Sequence, residues 1–295
     1  PAQDGIQTHE LDEMDRWILQ RTHAVLSRCR DAYDSYEFHV VYHTLNNFCS
    51  VDLSAQYLDI AKDRLYCEGT KSKTRRAAQT TLHSILDVLV HLMAPILSFT
   101  AEEIWQYMPD KDQRPASVFL SEIPQPDPQL NEPQLAEKWD RIFRERSEVL
   151  KALEQARAAG IIGHSLDAKV VVHTQNGSAQ ASPLLELLES DSQKLEDVLI
   201  VSQAETVSGA ISFLDQLITA RESGNRGTHS ITDLPDGRRV ISFDAELLNS
   251  FISVFKADGA KCQRCWKYEL DVGKDKTHPT VCARCAAVLR AGASV

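Results

Sequence analysis

The sequence predicts a mainly α protein: an antiparallel helical bundle, then a small α/β domain, then a tail built on two Cys-x-x-Cys pairs. Three observations carry this. Apolar residues recur at spacings of three and four from about residue 10 to 108. Short β-branched runs replace that period after Gly160. Cys262, Cys265, Cys282 and Cys285 then set two pairs sixteen residues apart.

The helices follow in order. Asp12 stands where a cap is wanted, ahead of a helix that turns Trp17, Ile18, Val25 and Leu26 inward, and Tyr33–Ser35 breaks it. A long helix from about Glu37 to Tyr66 carries a stripe of Val41, Leu45, Phe48, Val51, Ala55, Leu58 and Leu65. After Gly69, a helix bearing Ala78, Leu82, Ile85, Leu89 and Leu92 ends or kinks at Pro95. Thr100-Ala-Glu-Glu103 reads as a capping box opening a helix through Trp105. Short joints between such helices imply a bundle.

Six of the eleven prolines lie between residues 109 and 134, which marks a connector, with Ser117 to Ile123 as a short extended piece. A helix over about Glu132 to Ala159 follows, with Trp139, Ile142, Phe143, Val149, Leu150 and Leu153 on its apolar side. Strands are expected at Ala168–His173, Val198–Val201, Val240–Phe243 and Ser250–Lys256, a helix at Pro183–Leu188, and a polar loop at Gly224–Thr232. The domains expected are thus 1–159 with its connector at 109–134, 160–257, and 258–295.

The chain has 295 residues and a net charge of −10, unevenly spread. From Asp258 onward seven basic residues face four acids, a balance of +3, so the rest carries −13. A second basic cluster spans Lys62 to Arg76. Local field governs contact with a polyanion more than net charge does. No apolar run is long enough for a membrane span and no secretory signal opens the chain, so the seven cysteines suit a reducing cytoplasm. A first residue of Pro rather than Met suggests a fragment or processed product.

Four thiolates at this spacing suit one Zn²⁺ in a closed tetrahedral shell, hence a structural and not a catalytic ion. A rubredoxin-type iron site usually has glycine after each pair, where Trp266 and Ala286 stand; disulfides suit an oxidising compartment. Arg264 and Arg284 lie inside the pairs, and Trp266 follows the first. An indole beside guanidinium groups can stack on an unpaired base, or it can simply cover the knuckle. Lys71, Lys73, Arg75 and Arg76 suit phosphate contact or a solvated loop. His39 and His43, four apart without a metalloprotease glutamate, read as a polar helix face; Asn46 and Asn47 suit base edges or plain surface. No nucleophile–base pair stands at recognisable spacing, so no catalytic residue is assigned.

Together these segments resemble the C-terminal part of bacterial isoleucyl-tRNA synthetases. The residues that carry this are Leu11-Asp-Glu-Met-Asp-Arg-Trp-Ile-Leu19, Tyr36 to Tyr42 with Asn47 to Leu53 and Tyr57 to Tyr66, Arg75 to Leu82, Met93 to Trp105, and the cysteine tail. The resemblance implies a helical anticodon-binding domain of the class Ia synthetases, a small mixed domain and a zinc-binding end. It implies tRNA contact by Arg264, Trp266 and Arg284, and by Lys62, Arg64, Arg75 and Arg76 on the anticodon stem. The partners implied are isoleucine-acceptor tRNA and the protein's own N-terminal catalytic domain, in a monomer. That family's His-Ile-Gly-His and Lys-Met-Ser-Lys-Ser motifs, which bind and activate ATP, are absent; Ile161-Ile-Gly-His164 and Lys71-Ser-Lys73 are near misses. Residues 202–245 depart from the family pattern. Two rivals are a zinc-finger DNA-repair glycosylase, whose N-terminal proline precedes glutamate where Ala2 stands here, and a zinc-stapled protein-interaction module.

Overall fold

The computed structural model describes residues 5–109, 113–174, 182–189, 195–208, 214–215, 218–219, 223, 228–248 and 250–292. The chain divides into two compact units, residues 1–137 and 138–295.

The first unit is a helical bundle. Helix α1 (Glu13–Asp34) buries Trp17, Ile18 and Leu26 as expected. Asp12 precedes it but makes no capping bond; its carboxylate lies 3.4 Å from Arg64 instead. The long helix forms over its expected span with three hydrogen-bonding patterns: α2 (Phe38–Asn47), a π-helical stretch (Phe48–Leu58) and α3 (Asp59–Cys67). That stretch corrects the expected stripe. Bonds from i to i+5 widen the turn, so burial passes from Phe48 to Asp52, Tyr57 and Ile60, while Val51 and Ala55 face solvent. Buried Asp52 accepts from Arg21 at 3.3 Å.

Helix α4 (Lys73–Met93) ends two residues before Pro95, and α5 (Ser98–Tyr107) follows. The Thr100 capping box does not form, because α5 starts earlier, at Ser98. Glu102 from that motif reaches the connector, accepting from Ser117 Oγ at 2.7 Å and Val118 N at 3.1 Å. The proline-rich connector is therefore packed down. Arg30 donates to Ile123 O at 2.7 Å, and Trp105 Nε1 donates to Pro115 O at 2.9 Å beneath Arg114. Within it Val118–Leu120 is a 3₁₀ turn, not the extended piece expected.

Helix α6 (Pro133–Ala158) buries Trp139, Ile142, Val149 and Leu153, but Leu150 is exposed. Its buried Glu145 accepts from Ser182 Oγ at 2.7 Å and Leu184 N at 3.2 Å. Gly160, at φ 70°, closes the helix end, with Ile161 N bonded to Ala156 O at 3.0 Å. Ile161–His164 is thus a helix terminus and a turn, in keeping with its dismissal as a nucleotide motif.

In the second unit, among the described residues, β1 (Ala168–Thr174), β2 (Gln203–Ser208), β3 (His229–Asp233), β4 (Arg239–Ala245) and β5 (Ser250–Lys256) form one sheet in the order β2-β1-β5-β4-β3. Only the β1–β2 pairing is parallel. The expected strand at Val198–Val201 is instead the end of a short helix, α7 (Leu195–Leu199). A four-residue apolar run has no period to separate the two states. Likewise Leu185–Glu189 is a 3₁₀ turn where a helix was expected. In the expected polar loop, residues 224–227 lie outside the described set, while His229–Asp233 pairs with β4, from Asp233↔Arg239 to His229↔Phe243. That strand is an edge and mostly exposed, so it lacks the apolar signature of a central strand. Strands β6 (Ala260–Lys261) and β7 (Tyr268–Glu269) pair as a hairpin, and α8 (Ala283–Gly292) completes the tail.

Candidate metal centre and nucleic-acid interface

Gly259 starts the local geometry. At φ 94°, a Cβ there would stand 2.5 Å from Glu269 O, so only glycine lets the β6–β7 hairpin close. The chain then turns back on itself: Cys262 N donates to Lys267 O at 2.9 Å, and Trp266 N to Cys262 O at 2.9 Å. The second pair opens α8, where Ala286 N donates to Cys282 O at 2.9 Å.

These turns place the four sulfurs within 4.8 Å of one another, and all four residues are buried. Cys265 Sγ lies 3.9 Å from Cys282 Sγ. Tetrahedral bonds of about 2.3 Å to a common ion set sulfurs about 3.8 Å apart, so the quartet is shaped for one closed, four-coordinate metal. Cys285 donates to Cys265, holding the Cys265 thiol down at about 4; burial pushes Cys282 up to about 11. Cys285, which keeps that proton, is pushed up as well. A cation is what lets such a buried group carry more than one thiolate.

Around the cluster, Arg264 Nη1 approaches Cys285 Sγ at 3.6 Å, and its half-buried side chain faces the sulfurs. Arg284 is exposed. Trp266 is 59% exposed and sits at φ 66°, the left-handed region where a bulky residue is strained. Three contacts anchor the module to the sheet and α7. Lys267 Nζ meets Asp197 at 2.5 Å, Tyr268 N donates to Ser202 Oγ at 2.7 Å, and Gln203 exchanges two bonds with the Asp258 backbone at 3.0 and 3.1 Å. Sequence reasoning missed Asp197, Ser202 and Gln203. The last two open the segment to which no role was carried over, and single polar residues far away in sequence give no local signal.

In the helical unit the expected stem contacts are uneven. Arg64 faces inward. Its guanidinium bonds Asp15 at 2.9 and 3.0 Å, Asp15 is fully buried, and Tyr57 OH donates to the same carboxylate at 2.7 Å. The Arg64 guanidinium is thus turned inward onto Asp15, with its side chain 11% exposed. Lys62 is well exposed beside Asp59. Arg75 donates to Glu68 O at 3.1 Å, and Arg76 is half-buried. Lys62, Arg75 and Arg76 lie around the α3–α4 turn, in a different unit from Trp266. His39 and His43 are exposed, a polar face as expected, and among the described residues the cysteines are what could hold a metal.

Residues 15–172 match the model of the anticodon-binding domain of tRNA ligases, more than half of the chain. The chain belongs to that family. Residues 259–288 match a second model, the zinc finger found in FPG and IleRS. The chain is 43% identical over 289 residues to an isoleucine–tRNA ligase of Syntrophotalea carbinolica, 98% of this chain and 27% of the relative. It is 41% identical over 290 residues to that of Moorella thermoacetica, 98% of this chain and 28% of the relative. The chain therefore spans little more than a quarter of these relatives, matching their anticodon-binding and zinc-finger region.

Proposed function

We propose that this chain is the tRNA-reading part of an isoleucine–tRNA ligase, and that its zinc knuckle presents Trp266 to the anticodon. One observation carries the second half. The left-handed position after Cys265 would be unstrained with glycine, yet it holds a tryptophan whose ring stays largely in solvent. A ring that neither packs nor suits its backbone is placed for a partner, and unpaired bases stack on such rings. Arg284 supplies positive charge nearby, while Arg264 offsets the charge of the thiolates and positions the loop. Lys62, Arg75 and Arg76 are the candidates for the anticodon stem.

Zinc is the metal that a closed four-thiolate site favours, held by Cys262, Cys265, Cys282 and Cys285. When bound it supplies a cross-link and no chemistry. Isoleucylation and ATP use would belong to a catalytic domain of the full-length enzyme, joined to this chain in a cytoplasmic monomer. Free Cys29, raised to about 11 by burial, suits a reducing compartment as an inert thiol. Among the described residues no helix is long and apolar enough to cross a membrane. The helical unit's match to the anticodon-binding model speaks against the glycosylase, whose zinc finger the tail alone resembles.

Trp266→Gly tests this directly. The variant relieves the backbone strain and so should keep its metal and its melting temperature. It should lose about 1–3 kcal/mol of affinity for an isoleucine anticodon stem-loop. Unchanged affinity in a zinc-loaded variant would return Trp266 to a covering role.

A further inference from the structure

Among the described residues, three that are not glycine stand in the left-handed region: Tyr36, exposed in the turn after α1, and Ile200 and Trp266 in the second unit. The last two bracket one junction, between α7 and the tail. Ile200 is β-branched, the kind of residue for which φ 57° is most strained. It closes α7, with Ile200 N bonded to Asp197 O at 3.2 Å and Val201 N to Glu196 O at 3.0 Å, a Schellman pair. This sharp closure lets Asp197, on the helix, and Ser202 and Gln203, just beyond it, all reach the tail. Strain of this kind persists where the surroundings over-determine it, and it gathers at working parts of a protein.

Trp266 is held on both sides. Before it, Cys265 belongs to the sulfur quartet. After it, the Lys267 carbonyl accepts from Cys262 N at 2.9 Å, and the Lys267 ammonium donates to Asp197. Tyr268 N, one residue on, donates to Ser202 Oγ at 2.7 Å, and that hydroxyl gives its proton to Leu166 O. Asp197 stands on a fixed support, because buried Arg146 of α6 donates to Val198 O at 2.7 Å. The Lys267 and Asp197 side chains are only 12% and 27% exposed. Desolvation cancels much of the attraction in such a pair, so it contributes orientation more than stability. A four-thiolate staple closes the knuckle on itself and leaves open which way the knuckle faces. That direction comes from α7 and the start of β2.

We propose that Asp197, together with Ser202 and Gln203, is a set of positioning residues that aims Trp266 from outside the zinc knuckle. The small α/β domain is then the mount of the stacking ring. The inference rests on the tRNA reading above and gives the segment between α7 and β2 a role in it.

The test uses the zinc-loaded 295-residue chain and an isoleucine anticodon stem-loop. Asp197→Asn keeps the side chain's shape and removes the charge that holds Lys267. It should keep its metal and lose roughly fivefold in affinity, the lower range of what a base–aromatic stack contributes. Gln203→Ala, which frees the Asp258 backbone, should act the same way, and Asp197→Glu should recover most of the loss. In a Trp266→Gly background neither substitution should change affinity further, because the ring that they aim is gone. Without RNA, 5-fluorotryptophan labelling reports the ring itself. The Trp266 fluorine resonance, identified by its absence from Trp266→Gly, should narrow in Asp197→Asn as the ring gains freedom. Unchanged affinity and an unchanged line overturn the proposal. So does an equal loss in the Trp266→Gly background, and so do losses that follow zinc content in both variants, which would make the anchors props of the metal site. These outcomes leave the tRNA reading standing, whereas a wild type that binds no stem-loop overturns both.

Discussion

The helical unit buries Trp17, Ile18, Leu26, Phe48, Tyr57 and Leu92 from several helices, and even its buried carboxylates are partnered, Asp15 by Arg64 and Tyr57 and Asp52 by Arg21. In the tail beyond Asp258, the buried side chains among the described residues are the four cysteines, Val281 and Ala286. The first unit can fold on burial; the second module is too small for that and needs its metal. Both nonetheless place an exposed aromatic ring in a left-handed turn. A framework that is firmly closed nearby, by packing or by thiolates, can hold a local conformation that costs about 1–3 kcal/mol.

The largest expected effect is metal removal. Excess chelator should release about one zinc per chain and unfold the tail, a loss on the order of 10 kcal/mol for such sites. The bundle should keep its helical circular dichroism. Amide exchange read by segment checks this, and protection of residues 259–288 that survives demetallation would erase the contrast between the two modules.

Arg64→Ala comes next. It strips the guanidinium from a fully buried Asp15, so the bundle should lose about 3–5 kcal/mol in denaturant titration. The folded fraction should bind tRNA as before. A loss of affinity without a loss of stability would restore Arg64 to the RNA-binding surface.

A smaller effect concerns the sheet of the second unit. Buried His173 shares a hydrogen-bonded chain with Ser253 and Ser242, each link 2.8 Å. Desolvation lowers its pKa from 6.5 to about 4. Because the unfolded state takes up the proton first, stability should be complete above about pH 6.5 and fall as the pH drops toward 4. The cost is about 2 kcal/mol between pH 7 and pH 5. Urea titrations at both values should show it, and His173→Gln should flatten the difference; an equal slope in that variant would place the titration elsewhere. Trp266→Gly is comparable or smaller in energy, and it alone separates contact from support within the tail.

The bundle was legible because amphipathic helices announce themselves by period, and Pro95 and Ser35 mark their ends. The stripe on the long helix was misplaced after Phe48 because a π-helical turn changes the period without any residue that signals it. Val198–Val201 misled for the opposite reason: four apolar residues are too few to show a period. The cysteine quartet was fully legible, since the spacing of its ligands is local. Its anchors were not, because Asp197, Ser202 and Gln203 act across long sequence distances.

The sequence by itself determined the helix-rich class, the two pairs of thiols and their closeness in space, and a chain whose basic charge gathers at the tail. Only the tertiary structure decided which charges are spent inside. Arg64 and Lys62 differ by two positions and look equivalent in sequence. Two positions along the helix, a rotation of about 200°, set Arg64 against buried Asp15 and leave Lys62 in water, because a side chain's direction is fixed by the backbone and its burial by what packs opposite.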